Sequence, residues 1–137
     1  MRPVVVAVVL AMLPRLASAD RVKVAVVPVI TVNLEASRVD ALAQDLAEAL
    51  RTELDVDAVG GVEVRRRLPP HGLNPDCVAS EACIADVAER LAAQQILFLV
   101  MIDTGTSGAI QVDSTWVDPV VHKSASRPAI DIAALAD

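Results

Sequence analysis

Cys77 and Cys83 are the only thiols in the chain, and His71 precedes them by the same six-residue step. Three such side chains could hold a metal, but structural zinc sites favour cysteine pairs two to four residues apart and take four ligands. A redox-active pair would have the closer Cys-x-x-Cys arrangement that tunes a thiolate. In an exported chain the ordinary fate of two cysteines is a disulfide. Closing so short a loop removes roughly 2 kcal/mol of unfolded-chain entropy, and the bond would tie an irregular loop to a helix start.

The other chemistry-bearing residues are sparse. Nucleophilic hydrolysis wants Ser or Cys with His and an acid, and the only histidines are His71, in a proline-rich loop, and His122, near the end. Both read as surface residues. Gly60-Gly61 ends a helix and Gly105 and Gly108 sit in a hairpin, so neither pair opens a helix as a phosphate cradle does. Asp103, Asp113 and Asp118 could gather at a hairpin end around calcium, but they lack the regular spacing of a calcium loop and read as solvated turn acids. Arg65-Arg66-Arg67 has no interleaved aromatic and reads as a solubilised strand end rather than a nucleic-acid contact. The sequence therefore assigns no catalytic, cofactor or metal residue and leaves Cys77 and Cys83 as the one candidate site.

Composition narrows the partners. The 137 residues carry a formal charge of −6 and contain one Phe, one Trp and no Tyr, so stacking platforms for bases are nearly absent. Acidity of this degree is repelled by phosphate backbones and anionic lipid, which argues against nucleic acid as a partner. At the start, Arg2 gives a positive end, residues 4–13 are ten consecutive apolar residues, and Ala17-Ser18-Ala19 offers a small-x-small site before Asp20. These are the parts of a secretory signal peptide cleaved between Ala19 and Asp20. The run is short of the ~20 residues a membrane span needs, and no later stretch reaches that length. No cysteine lies near the cleavage site, so lipid attachment there is not expected. The rest of the chain is expected to be soluble and exported, with no mark of its oligomeric state.

The elements that would position these residues centre on residues 96–102, seven apolar residues in an unbroken run. Without alternation neither face is wet, so the run reads as a strand buried on both sides. Residues 22–30 give a β-branched companion strand that should end or bulge at Pro28. Ser37 and Asp40 resemble a capping pair for a helix whose stripe is Val39, Leu42, Leu46, Ala49 and Leu50. Asp57 to Gly61 breaks that helix, and Val62-Glu63-Val64 alternates as a short strand near a sheet edge. Ser80 is the expected N-cap of a second helix with Ile84, Val87, Ala88 and Leu91 inside. After the central strand, Ile110, Val112, Ser114 and Trp116 share one face of a hairpin strand, residues 120–127 add a more polar one, and 129–137 reads as a helix start. The expected fold is a single α/β domain with a mixed sheet of about five strands, ordered β-α-β-α-β-β-β, and two main helices packed on it.

Taken together, Val24-Ala25-Val26-Val27-Pro28, the helix over 39–51, Cys77 with Cys83, Ala92-Ala93-Gln94-Gln95-Ile96-Leu97 and Trp116-Val117-Asp118-Pro119 resemble a known group. It is the amino-terminal α/β domain of TolB-like proteins, with the related curli-secretion-type domains of Gram-negative envelopes, including multidomain proteins of myxobacteria. The resemblance covers residues 20–128, with 129–137 as a tail. TolB proper continues into a β-propeller, and nothing here repeats at blade length. The resemblance implies a periplasmic or envelope setting and a non-enzymatic occupation, contact with another envelope protein through a sheet edge or a loop face. The alternative is a small-ligand binding or sensing domain, with a pocket where the 104–108 link meets the 66–76 loop.

Overall fold

The computed structural model describes residues 21–105, 109–120 and 123–132, the last of these through its backbone. Residues 1–20 with the expected Ala19–Asp20 junction, residues 106–108 of the hairpin link with Gly108, His122 and the 133–137 end lie outside the described residues. The elements are β1 (Lys23–Val32), α1 (Ala36–Leu54), β2 (Asp57–Val59), α2 (Val62–Arg67), a 3-10 helix (Pro75–Ala79), α3 (Glu81–Leu91), β3 (Gln95–Asp103), β4 (Ile110–Asp118) and β5 (Lys123–Ile132). They form one five-stranded sheet in the order β2-β1-β3-β4-β5. β1 runs parallel to both β2 and β3, and β4 and β5 follow antiparallel.

The unbroken apolar runs explain the two-sided burial. On β1, Val24, Ala25, Val26 and Val27 are all fully buried, with the odd and even positions entering different clusters. Val24 and Val26 join Leu97, Leu99 and Met101 of β3 under α1, whereas Ala25 and Val27 join Ile96 and Phe98 under α2, the 3-10 helix and α3. This is the period of two expected of any strand, applied twice because both faces are covered. The register between β1 and β3 shifts between Pro28 and Ile30, so the proline bends the ladder without ending the strand.

Four local expectations need correction. Val62-Glu63-Val64 is the start of helix α2, not a strand, and the second parallel strand is Asp57-Ala58-Val59 just before it, so Gly60-Gly61 does not end α1, which stops at Leu54, but leads into α2 with Gly61 as its N-cap. The pull towards helix is visible in side-chain pairing: Glu63 meets Arg66 and Arg67 at 3.6 and 3.9 Å, one turn on. Second, α1 begins at Ala36 with Glu35 as N-cap and no side-chain cap, so Ser37 and Asp40 are not its capping pair. Third, its buried residues include Ala43 and Ala47, whereas Ala49 is exposed. Last, Ala129-Ile130-Asp131-Ile132 belongs to β5 and not to a helix, because Ile132 extends the ladder to Ile110 of β4. Elsewhere the expected devices are in place: the Ser80 side chain accepts from the Cys83 N–H at 3.2 Å and caps α3.

Candidate functional site

The strand order places β1 between a neighbour that follows it through α1 and a neighbour reached later through α2 and α3. The chain therefore changes its direction of travel across the sheet at β1, with α1 on one face and α2 and α3 on the other. Open α/β sheets leave a crevice at such a point, outside the carboxyl ends of the strands. Here a cleft of about 210 Å³ lies there. Its floor is Pro28 and Thr31 at the end of β1, its walls are Val39 and Ala43 of α1 and Val64 of α2, and the 68–73 loop closes the outer side.

Two glycines, of which Gly61 lines the cleft, set how closely the chain entering α2 approaches α1. A Cβ on Gly60 would stand 2.6 Å from the Ala43 carbonyl oxygen, and one on Gly61, at φ +81°, 2.9 Å from the Asp40 carbonyl oxygen. Only a chain lacking both side chains can run this close to the α1 backbone, and Ala43 and Ala47 keep the α1 side equally low. The approach lets Arg65 of α2 reach across to Asp40 of α1 at 2.9 Å. The Asp40 side chain is 13% exposed and that of Arg65 60%, so the pair straddles the rim with the carboxylate on the inner side. An ion pair this open contributes on the order of 0.5 kcal/mol, and its importance lies in where it puts charge.

Cys77 and Cys83 are joined in a disulfide with Cα atoms 5.2 Å apart. Cys77 is buried in the cluster under α2 and α3, and Cys83 lies in the first turn of α3. The bond fixes the 3-10 helix to α3, while the Asn74 side chain accepts from the Asp76 N–H at 2.9 Å and a turn closes from Gly72 N–H to Pro69 C=O at 2.9 Å. At its other end the Leu68 N–H donates to the Arg65 C=O at 3.4 Å, so the 68–73 loop, which forms the outer side of the cleft, is held at both ends. His71 is exposed on this loop. Of the pocket expected where the 104–108 link meets the 66–76 loop, residues 68–73 line the cleft, but its opposite side is α1 and the end of β1, Thr104 and Gly105 do not line it, and 106–108 lie outside the described residues.

Sequence reasoning missed the cleft because its residues come from three separate stretches, 28–31, 36–43 and 61–73, that nothing local marks as neighbours. The nearest signal was the Gly60-Gly61 pair. The hairpin acids are kept apart by the register: Asp103 pairs with Ile110 at one end of β4, Asp113 faces Val100 in the middle, and Asp118 lies at the far end, ~27 Å from the first at strand rise. Among the described residues no three His, Cys, Asp or Glu side chains converge as a metal site. At that far end, the Trp116 Nε1–H donates to Gln95 Oε1 at 2.6 Å, and the Gln95 amide approaches Asp118 at 3.4 Å. The Trp-Val-Asp stretch thereby anchors β4 to the start of β3.

These features define a class: a small α/β domain with a mixed sheet and a cleft at the switch point of its parallel strands. No family model matches the chain, and no curated protein matches it. Among solved structures, the chain is similar to the LpoB C-terminal domain of Salmonella enterica, with 17% identity, 80% of this chain and 82% of that one covered and a TM-score of 0.51. It is similar as well to lipoprotein GNA1162 of Neisseria meningitidis, with 17% identity, coverage of 80% and 78% and a TM-score of 0.56. The NMR structure of E. coli LpoB gives 14% identity and a TM-score of 0.53, over 82% of this chain and 59% of that one. At these identities the likeness shows the fold alone. It agrees with the α/β architecture that the TolB-like resemblance implies and does not extend to TolB membership. Among the described residues no helix is long and apolar enough to cross a membrane.

Proposed function

We propose that this chain is a non-enzymatic interaction module of the bacterial cell envelope, exported by its leader and docked on another envelope protein. The observation that carries the reading is the cleft: a depression with mostly apolar walls, one ion pair on its rim, and a loop held at both ends beside it. Such a surface offers a preformed seat, which lowers the ordering cost of association. The fold shared with a Neisseria lipoprotein and with LpoB supports the envelope setting, since a lipoprotein is held at a membrane by its acyl chains. The leader and the acidic charge support export of a soluble domain.

The test is photo-crosslinking in the intact native cell, with the reactive residue placed at Pro70 on the cleft rim and, as a control, at Glu89 on exposed α3. A single envelope protein joined from position 70 and absent from position 89 is the expected result. Equal labelling from both sites, or none from either, rejects the module reading. The same sample, digested and sequenced by mass, shows whether the chain begins at Asp20.

A further inference from the structure

We infer that the cleft takes an acidic segment of the partner protein, with one aliphatic side chain seated between α1, α2 and the 68–73 loop and flanking carboxylates on the arginines of α2. The inference rests on the interaction-module reading and names the chemistry of its partner. Size comes first. A cavity of about 210 Å³ is below the ~300–1,000 Å³ of sites that enclose a whole small molecule, so it suits a single side chain better than a free ligand. Its walls of Val39, Ala43, Val64 and Leu73 select an apolar one.

Charge is the second argument. The chain is acidic as a whole, yet three of its twelve cationic residues are consecutive in α2. Arg65 is held by Asp40, whereas Arg66 and Arg67 share the one carboxylate of Glu63 at 3.6 and 3.9 Å. Arg66 and Arg67 are 72% and 49% exposed and Glu63 58%, so their contacts exchange readily with an incoming carboxylate, while Arg65 stays on Asp40. Elsewhere the net negative surface repels an acidic segment, so the α2 rim sets where such a segment lands. An apolar anchor with acidic flanks uses both features at once.

The experiment is amide-shift mapping by NMR on the purified isotope-labelled chain, with three synthetic peptides as probes. The first is acetyl-Glu-Asp-Leu-Glu-Asp-amide, the second replaces each acid by lysine, and the third replaces the leucine by alanine. The first peptide is expected to shift amides within 36–43 and 61–73, to weaken at least about fivefold when salt rises from about 50 to about 300 mM, and to weaken by a similar factor in Arg66→Glu. Arg66 lies outside the walls, so that variant keeps its fold, and a thermal melt verifies it. The lysine and alanine peptides are expected to leave the spectrum unchanged. Binding of the lysine peptide as strong as that of the acidic one overturns the inference, as does an unshifted spectrum with the first peptide. Shifts centred instead on a separate groove between α1 and β3, lined by Leu42, Leu46, Leu99 and Met101, overturn it too. If the peptides fail while crosslinking from position 70 still joins one envelope protein, the module reading stands and only the acidic-anchor chemistry falls.

Discussion

Replacing Gly61 with alanine tests the close crossing that shapes the cleft. Two costs are expected there. Gly61 sits at φ +81° and ψ −139°, a region almost closed to other residues, and holding alanine there costs on the order of 2 kcal/mol. The new Cβ would also meet the Asp40 carbonyl oxygen at 2.9 Å and Gln44 Cβ at 3.2 Å, an overpacking against the α1 backbone that costs about 1–3 kcal/mol. Gly72 provides the control, because its φ is +83° but a Cβ there has nothing within 4 Å. Gly72→Ala should therefore show only the backbone cost, about 1–2 kcal/mol. Urea denaturation of both variants, with the slope unchanged and the midpoint shifted, gives the two values. Gly61→Ala is expected to lose about 2 kcal/mol more than Gly72→Ala. Equal losses would refute the claim that a backbone approach, and not local conformation alone, demands glycine at the α1–α2 crossing.

The remaining predictions concern the core, the caps, the disulfide and the hairpin. Leu97→Asp should abolish the cooperative melt followed by circular dichroism, because a charge at this buried position of β3 has no solvent or partner to reach. Ser80→Ala should lose about 1 kcal/mol in urea through its cap on α3, while Ser37→Ala, which caps nothing, should stay within about 0.5 kcal/mol of the parent. Reducing the Cys77–Cys83 bond should lower stability by about 2 kcal/mol and leave the far-ultraviolet spectrum folded, as a melt with and without reductant will show. Gln95→Ala should remove the acceptor of the Trp116 indole, costing about 1 kcal/mol and shifting the emission of the only tryptophan in the chain.

What could be read in advance follows from the range over which each feature is determined. The β3 run needed no partner to declare itself, and Ile96, Leu97, Phe98 and Leu99 are indeed all buried. The α1 stripe was legible in part: Val39 and Leu42 are buried and Leu46 and Leu50 half-buried, but Ala49 is exposed and the buried Ala43 and Ala47 carried no mark, whereas Ser80 was plain because its cap lies three residues away. Val62-Glu63-Val64 misled because three residues fit a strand and a helix equally, and the deciding contacts come one turn later at Arg66 and Arg67. β2 has a single buried residue, Ala58, and exists because β1 offers it a ladder. Ile130-Asp131-Ile132 was decided in the same way by β4. The cleft is the extreme case, since its walls meet only after the chain has passed through β2 from the α1 face of the sheet to the other. Its one local trace, two adjacent glycines, said that something came close but not what.

The register of the central pair bears on the order in which the molecule assembles. Val24 lies beside Gln95 and Val32 beside Ile102, so every rung joining β1 to β3 closes a loop of about seventy residues. Loop closure on that scale is opposed by chain entropy and slows folding, and no shorter segment contains both halves of either core cluster. A ribosome or a secretion channel that has delivered residues 21–90 has delivered the helices with only β1 and the short β2 to pack on, and without the Leu97, Leu99, Ile96 and Phe98 side chains of β3 that complete both clusters. In the export proposed above, that delay would be useful: the first strand would emerge long before its β3 partner, and the central ladder could close only after nearly all of the chain was across.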